Sequence, residues 1–177
     1  MIFSRLQPTP STITAFFLSH RGRCFENWSA EKIYNYVLVN CVHRNVFVAC
    51  DGDGRIALAA IAWRNDAARI EENERLGLPQ YDWKGFPKDG DSILIADVAG
   101  DRKLMPEILK QVMDCWCHGP WRSRSLPNIF QKRIFTYRRG RLVELGWKTV
   151  FRFMSVAAPR ECALTGSDVD RSFCGGS

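Results

Sequence analysis

The sequence predicts a domain of the mixed α/β class, in which helices flank a sheet. Two observations lead to this fold class: short apolar strands alternate with amphipathic stretches along the chain, and 177 residues with 46% apolar content can bury one sizeable core. We expect a single domain over residues 1–157. The remaining residues, 158–177, turn small and polar and are expected to form a flexible tail.

Two helices are predicted at the start of the chain. The first covers residues 11–18, with Ser11 or Thr12 as its N-cap. The second begins at Ser29 and runs to Asn40, because apolar residues recur there at spacings of three and four.

A hairpin and a long connection follow these helices. The strands 46–50 and 56–63 are joined by the turn 51–54, whose glycines permit positive φ. The next segment, 65–91, lacks a regular pattern apart from one or two helical turns near Glu71–Arg75. Long connections of this kind are often binding loops, although the aromatic residues in this one favour anchoring to the core: Tyr81, Trp83 and Phe86.

The central part of the sequence is an apolar strand that leads directly into a helix. The strand covers 92–98, Gly100 and Asp101 follow it, and the helix covers 102–116 with Pro106 tolerated near its first turn. Unpaired amides at such a junction are where α/β proteins hold phosphates or reacting carbonyls. We therefore expect the functional site here.

Three short elements are predicted to complete the domain. Residues 133–137 form a strand, 138–145 form either a short helix or a second strand, and 148–156 alternate polar and apolar side chains as a last strand does.

Positive charge is concentrated in the last third of the chain. Residues 1–118 carry 14 Lys/Arg and 15 Asp/Glu, whereas residues 119–177 carry 11 and 4. This basic region fits a phosphate-bearing cofactor, an acidic partner or nucleic acid, and it equally fits a solvated face without a ligand. Its basic residues near Tyr137 are Arg122, Arg124, Lys132, Arg133, Arg138, Arg139 and Arg141.

The cysteines and the hydropathy predict a cytoplasmic protein without a membrane span. Seven cysteines are an odd number, and Cys41 and Cys50 lie in apolar patterns, which favours reduced thiols. No apolar run approaches the roughly 20 residues that cross a bilayer. Cys115, Cys117 and His118 invite a zinc interpretation, but they lack the usual two-residue gap and a second pair, so we expect no metal.

The order of these elements resembles that of the GNAT superfamily of acyltransferases over about residues 10–156. The central strand would be Ile93–Val98, and Leu145-Gly146-Trp147 would be the leucine-glycine-aromatic step before the last strand. The resemblance implies a mostly antiparallel, twisted sheet that splays at the central strand, with acyl-CoA or the arm of an acyl carrier protein in the gap. Typical members carry Gln/Arg-x-x-Gly-x-Gly/Ala after this strand, where the chain has Ala99-Gly100-Asp101-Arg102-Lys103-Leu104.

The chain is also similar to a branch of that fold without the glycine motif, the toxin-activating lysine acyltransferases, which take a fatty acyl group from acyl carrier protein. The short matching segments are Asn27-Trp28-Ser29, Ala60 to Arg64, Glu71 to Glu74, Gly90-Asp91, Gly100-Asp101 and Arg141 to Glu144. In that family a catalytic histidine stands two residues before the Asn-Trp pair, where this chain has Phe25. The family's strand aspartate falls nearest Ala96 or Asp97.

Three side chains are candidates for acid–base chemistry, because acyl transfer to an amine needs a group that takes a proton near pH 7. Asp97 orients the base or is itself the base, His20 is the nearest histidine, and Tyr137 is a candidate general acid. The residues expected to bind the donor are Ala96, Val98, Ala99, Gly100, Arg102, Lys103 and Arg138.

Two functions from different classes follow. The first is an acyltransferase that moves an acyl group from a thioester donor, acyl-CoA or acyl carrier protein, to the amine of a small molecule or a protein. The second is a binding module of the same shape that has lost catalysis and uses its basic last third to hold a protein or nucleic acid.

Overall fold

The computed structural model describes residues 8–20, 25–80, 90–117, 133–138, 140–146, 148–150 and 152. Its helices and strands are α1 (Pro10–Ser19), α2 (Ala30–Val42), β1 (Val46–Cys50), β2 (Ile56–Asn65), α3 (Ala67–Leu76), β3 (Ser92–Gly100), α4 (Met105–Cys117), β4 (Arg133–Arg138) and β5 (Arg141–Glu144). A 3₁₀ turn, Arg102–Leu104, separates β3 from α4.

The five described strands form one open sheet in the order β1-β2-β3-β4-β5. Neighbouring strands are antiparallel except for β3 and β4, which are parallel. The predicted mixed α/β class with a mostly antiparallel sheet and flanking helices is therefore confirmed.

Each face of the sheet carries its own apolar cluster. On one side, which we call the three-helix face, α1, α2 and α3 pack on alternate residues of β2 and β3, such as Ile61 and Leu94. On the other side, which we call the α4 face, Ile108 and Val112 of α4 pack in one cluster with strand residues such as Ile93. The alternation follows from the pleat of a strand, which sends successive side chains to opposite faces.

The predicted start of α2 is confirmed, whereas that of α1 is not. The Ser29 hydroxyl accepts a hydrogen bond from the Lys32 amide at 3.2 Å and caps α2, as predicted. α1 starts earlier than predicted, because Thr9 is its N-cap and Pro10 occupies its first turn.

The connection after β2 contains a longer helix than predicted. α3 extends over ten residues and ends at Gly77, which adopts the left-handed conformation with φ of 65°. Its charged exposed side obscured the short buried stripe of Ala67 and Ile70. The aromatic residues at 81, 83 and 86 lie outside the described part of the chain.

The elements after the central strand require two corrections. The predicted helix 102–116 begins as a 3₁₀ turn and becomes α-helical at Met105. The predicted last strand, 148–156, is wrong over its first residues: 148–150 and 152 are helical, because the Gly146 carbonyl accepts hydrogen bonds from the amides of Thr149 and Val150. Residues 138–145, left open between helix and strand, supply β5, and the expected tail 158–177 lies outside the described residues.

Candidate functional site

A β-bulge in the central strand decides which way Asp97 faces. Ile61 of β2 pairs with Asp97 and Ala62 pairs with Ile95, so that Ala96 is an extra residue in β3. Ile95 and Val98 belong to the α4 face, whereas Ala96 packs on the three-helix face. Without the bulge Asp97 would point to the α4 face; with it, its carboxylate meets α2.

The parallel pairing of β3 with β4 ends just before Asp97. Within the described residues it covers four pairs and stops with Ile95 and Thr136. Beyond them, β3 continues to Gly100 and stays paired with β2. We call the region between β3 after Ile95 and β4 after Thr136, where these two strands no longer pair with each other, the β3–β4 opening.

Asp97 is held by a tyrosine of α2. The Tyr36 hydroxyl donates a hydrogen bond to Asp97 Oδ2 over 2.6 Å. Tyr36 is fully buried, and its ring lies against Phe25 and Trp28. A bond of this length between a phenol and a carboxylate is of the strong, charge-assisted kind.

Buried asparagines fix the helix that carries Tyr36. The Asn40 amide donates to the Tyr36 carbonyl at 2.9 Å, and Asn45 donates to the Asn40 side chain at 3.3 Å. The Asn45 carbonyl in turn accepts from the Ala62 amide at 2.9 Å. Because Ala62 lies beside the bulge, these bonds connect α2 with the part of the sheet that positions Asp97.

Tyr137 is the first residue of β4 after the last parallel pair, and it faces the three-helix face. Its hydroxyl donates to Glu74 Oε2 at 2.9 Å. Burial raises the pKa of Tyr137 to about 12, the bond to Glu74 and the charges of Glu74 and Asp97 act in the same direction, and a hydrogen bond with Gln80 opposes them. The phenol is therefore neutral at pH 7.

This raised pKa predicts a stability change at alkaline pH. In the unfolded chain Tyr137 loses its proton near 10.0, whereas in the folded protein it keeps the proton up to about 12. The free energy of unfolding that Tyr137 contributes is thus complete below pH 10 and is lost as the pH rises toward 12. We expect the stability difference between wild type and Tyr137→Phe in urea unfolding to shrink over this range.

Tyr34→Phe is the matched control for this experiment, because Tyr34 is exposed on the outside of α2. The pH dependence of the stability difference for Tyr137→Phe is compared with that for Tyr34→Phe, measured in the same way. A constant difference for Tyr137→Phe would mean that the Tyr137 phenol titrates in the folded protein as it does in the unfolded chain.

The junction after β3 carries the predicted donor-binding residues. Gly100 has a φ of 103°, and the Asp101 amide donates to the Ala57 carbonyl at 2.8 Å. The Asp101 carboxylate accepts from the Lys103 amide at 3.0 Å and is the N-cap of the 3₁₀ turn. The basic side chains on the two sides of the opening are exposed: Arg102, Lys103 and Arg138.

The three predicted backbone positions of the opening differ in burial. Ala99 is buried on the three-helix face, and Ala96 is half-buried there. Val98 is half-buried on the α4 face.

His20 lies at the end of α1 and is exposed. Its Nδ1 is 3.1 Å from the Phe16 carbonyl oxygen and 3.0 Å from Ser19 Oγ, and its ring stacks on Phe16 at 4.2 Å. Phe16 also lies next to Gly100. His20 is thus placed near the end of β3, with Phe16 between them.

Phe25, at the position of the histidine in the similar family, is buried in an aromatic cluster. Its ring is 5.3 Å from Phe17 and 5.4 Å from Trp28, with edge-to-face geometry in both pairs. Phe25 therefore contributes packing at this position and no group that can exchange a proton.

A surface groove of about 350 Å³ lies beside Glu74, between α3 and the β4–β5 hairpin. Arg133 lines it and bonds to Glu71 at 2.6 Å and to Glu144 at 2.7 Å. These bonds raise the pKa of Arg133. The positive charge of Arg133 is therefore balanced locally by the carboxylates of Glu71 and Glu144.

Neither a metal cluster nor a membrane-spanning helix is found in the part of the chain that the structure describes. No three His, Cys, Asp or Glu side chains there are grouped so that they could hold a metal ion. No described helix has the length and apolar character to cross a bilayer. The side chain of Cys117 and all of His118 are outside the described set.

Sequence reasoning missed Tyr36 and Glu74. The sequence places Tyr36 within the apolar pattern of the second predicted helix, and Glu74 within the helical turns of the long connection and in a segment that matches the similar family. The sequence does contain a signal for the contact between Tyr36 and Asp97. A buried tyrosine needs a partner for its hydroxyl, and a carboxylate in an apolar strand needs a hydrogen-bond donor. The topology that joins them, over a separation of 61 residues, is visible only in the fold.

A comparison of the chain with protein-family models, curated proteins and solved structures finds no match. Its function must therefore be inferred from the geometry of this site and from the sequence resemblance described above.

Proposed function

We propose that the protein is an N-acyltransferase that moves an acyl group from a thioester donor, acyl-CoA or acyl carrier protein, to the amine of a small molecule or a protein. The observation that carries the proposal is the β3–β4 opening: parallel pairing stops at Ile95 and Thr136, and the bulge turns Asp97 toward the three-helix face at that point. A GNAT-like fold, splayed at its central strand, belongs to the same proposal.

The donor would lie in the opening as an extended arm. Backbone groups of Ala96 to Val98 would align it, as an additional strand aligns with a sheet edge. The phosphate of such an arm would lie toward Gly100, where Arg102 and Lys103 are exposed on one side and Arg138 on the other. Because Asp101 caps the 3₁₀ turn, part of its negative charge is engaged with the backbone there.

Asp97 would act as the base. The neutral amine nitrogen attacks the thioester carbonyl carbon, a C–N bond forms and the C–S bond breaks. Asp97 accepts the proton that the nitrogen loses and then passes it to the departing thiolate. A group that takes this proton contributes roughly 10²–10⁴-fold to such a reaction.

Tyr137 is better suited to holding Glu74 than to protonating sulfur. A pKa of about 12 lies well above that of an ordinary thiol, about 8.5, so proton transfer from Tyr137 to the thiolate is uphill. We expect Tyr137→Phe to keep acyl transfer within about fivefold of wild type in initial-rate measurements, far less than the loss of a general acid causes. A loss of 100-fold or more would assign Tyr137 as the general acid.

The proposal is tested by thermal shift followed by product analysis. Acetyl-CoA, a long-chain acyl-CoA, an acylated carrier protein and duplex DNA are titrated separately, because a ligand of the native state raises Tm with its concentration. Donors that bind are then incubated with lysine-containing peptides and small amines, and the amide is sought by mass spectrometry. Stabilisation by a thioester donor together with amide formation supports the transferase; neither effect with any donor contradicts it.

One observation favours the second function, a binding module without catalysis. Phe25 occupies the position of the catalytic histidine in the similar family and is buried among aromatic rings. On this function, DNA or an acidic protein would raise Tm in the same panel, with an effect that weakens as salt is added. Thioester donors would leave Tm unchanged.

A further inference from the structure

We propose that Tyr36 is a positioning residue that holds the Asp97 carboxylate in the orientation needed for proton transfer. The inference rests on the proposed transferase function and adds a residue from α2 to the site. Tyr36 does not touch the reacting atoms in this scheme; it acts through Asp97.

The contact has the features of a preorganised site. The Tyr36 hydroxyl reaches Asp97 Oδ2 from the helix side at 2.6 Å, while the bulge at Ala96 presents the carboxylate from the strand side. The Tyr36 ring is buried against Phe25 and Trp28, which leaves it little rotational freedom. One carboxylate oxygen is therefore fixed from two independent elements.

The backbone of α2 is fixed as well. The hydrogen bonds from Asn40 to the Tyr36 carbonyl and from Asn45 to Asn40 lie in the core, and both asparagines are buried. They end at Ala62, opposite the bulge. They connect the last turns of α2 with Asn45, whose carbonyl continues the pairing of β1 with β2.

Phe25 packs on Tyr36 but cannot supply the hydrogen bond to Asp97. The ring centroids of Phe25 and Tyr36 are 6.1 Å apart, and the Phe25 side chain has no polar atom. The Lys32 ammonium group lies over the Trp28 ring, 4.2 Å from its centroid. The Tyr36 phenol donates to Asp97 Oδ2 from this face.

Tyr36→Phe tests the proposal because it removes one oxygen and keeps the ring. We expect kcat to fall roughly tenfold to 100-fold with the KM for the donor unchanged, as a lost hydrogen bond to a charged group predicts. The acid limb of the pH–rate profile should move to higher pH, because the phenol favours the ionised carboxylate. Tyr34→Phe, on the same helix, should change neither quantity.

A second measurement separates this inference from the function itself. The Asp97 carboxyl is titrated by ¹³C NMR without substrate, and its midpoint should lie at higher pH in Tyr36→Phe than in wild type. If the midpoint moves but wild type transfers no acyl group, the transferase proposal fails and the positioning of Asp97 stands. If wild type is active and neither the midpoint nor the rate profile moves in Tyr36→Phe, Tyr36 has no positioning role.

The wild-type protein provides a check that needs no variant, should Tyr36→Phe not fold. The ring resonances of Tyr36 should titrate together with the Asp97 carboxyl, at one common midpoint. Independent behaviour of the two groups would overturn the proposal.

Discussion

Replacing Asp97 with asparagine is expected to reduce acyl transfer at least about 100-fold while the protein stays folded. The amide cannot accept the proton that the amine nitrogen loses. Its oxygen can still accept the hydrogen bond that Tyr36 donates to Asp97 in wild type, and its volume is nearly the same. The rate is measured with the donor that stabilises the native state, and folding is checked by urea unfolding.

Two matched variants make this result specific. Asp114→Asn removes a carboxylate from α4, on the opposite face of the sheet, and should leave the rate unchanged. His20→Gln removes the other candidate base, whose ring is stacked on Phe16 at the surface, and should keep the rate within about threefold, well short of the loss of a catalytic base. If Asp97→Asn retains full activity while His20→Gln loses it, His20 is the base and Asp97 is structural.

The parts of the fold that could be predicted from sequence are those with a local signal. The β1–β2 hairpin is predicted from the glycines of its turn; in the structure Gly54 adopts a φ of 78°, and the Asp51 carboxylate accepts hydrogen bonds from the Asp53 and Arg55 amides. The start of α2 is predicted from Ser29, whose hydroxyl accepts a hydrogen bond from the Lys32 amide. In each case a few neighbouring residues contain all the chemistry that sets the conformation.

The last predicted strand is wrong at 148–150 and 152, because alternation of polar and apolar residues is weak information over a short segment. Val150 is buried on the α4 face, and a single buried residue is compatible with a helix as well as with a strand. The hydrogen bonds to the Gly146 carbonyl decide between them, and these depend on how the chain leaves β5.

The site illustrates a different limit. The family resemblance places the strand aspartate at Ala96 or Asp97, a slip of one residue, and the extra residue in β3 is Ala96 itself. A bulge reverses the faces that alternation assigns, so the pattern of β3 alone could not show that Asp97 points toward α2. The Tyr36 contact depends on this reversal and was therefore not predictable from either segment.

The largest effect on stability is expected for Gly100→Ala. Gly100 has a φ of 103°, which side chains of L-residues rarely adopt, and an added Cβ would overlap the Ala57 carbonyl oxygen and lie 2.7 Å from Phe16 Cζ. The Ala57 oxygen cannot withdraw without loss, because it accepts the Asp101 amide at 2.8 Å. We expect the free energy of unfolding to fall by roughly 3 kcal/mol, from backbone strain and overlap together.

Gly140→Ala separates strain from overlap in this prediction. Gly140 also has a positive φ, 77°, but no atom of the described residues lies within 4 Å of the position that its Cβ would take. Conformational strain alone should lower the free energy of unfolding of Gly140→Ala by about 1 kcal/mol. The difference between the two variants in urea unfolding therefore reports the close approach of β3 to Ala57 together with the larger φ of Gly100. Equal losses would mean that the junction relaxes freely around a side chain, and a junction that relaxes so readily would not hold a donor phosphate in a fixed position.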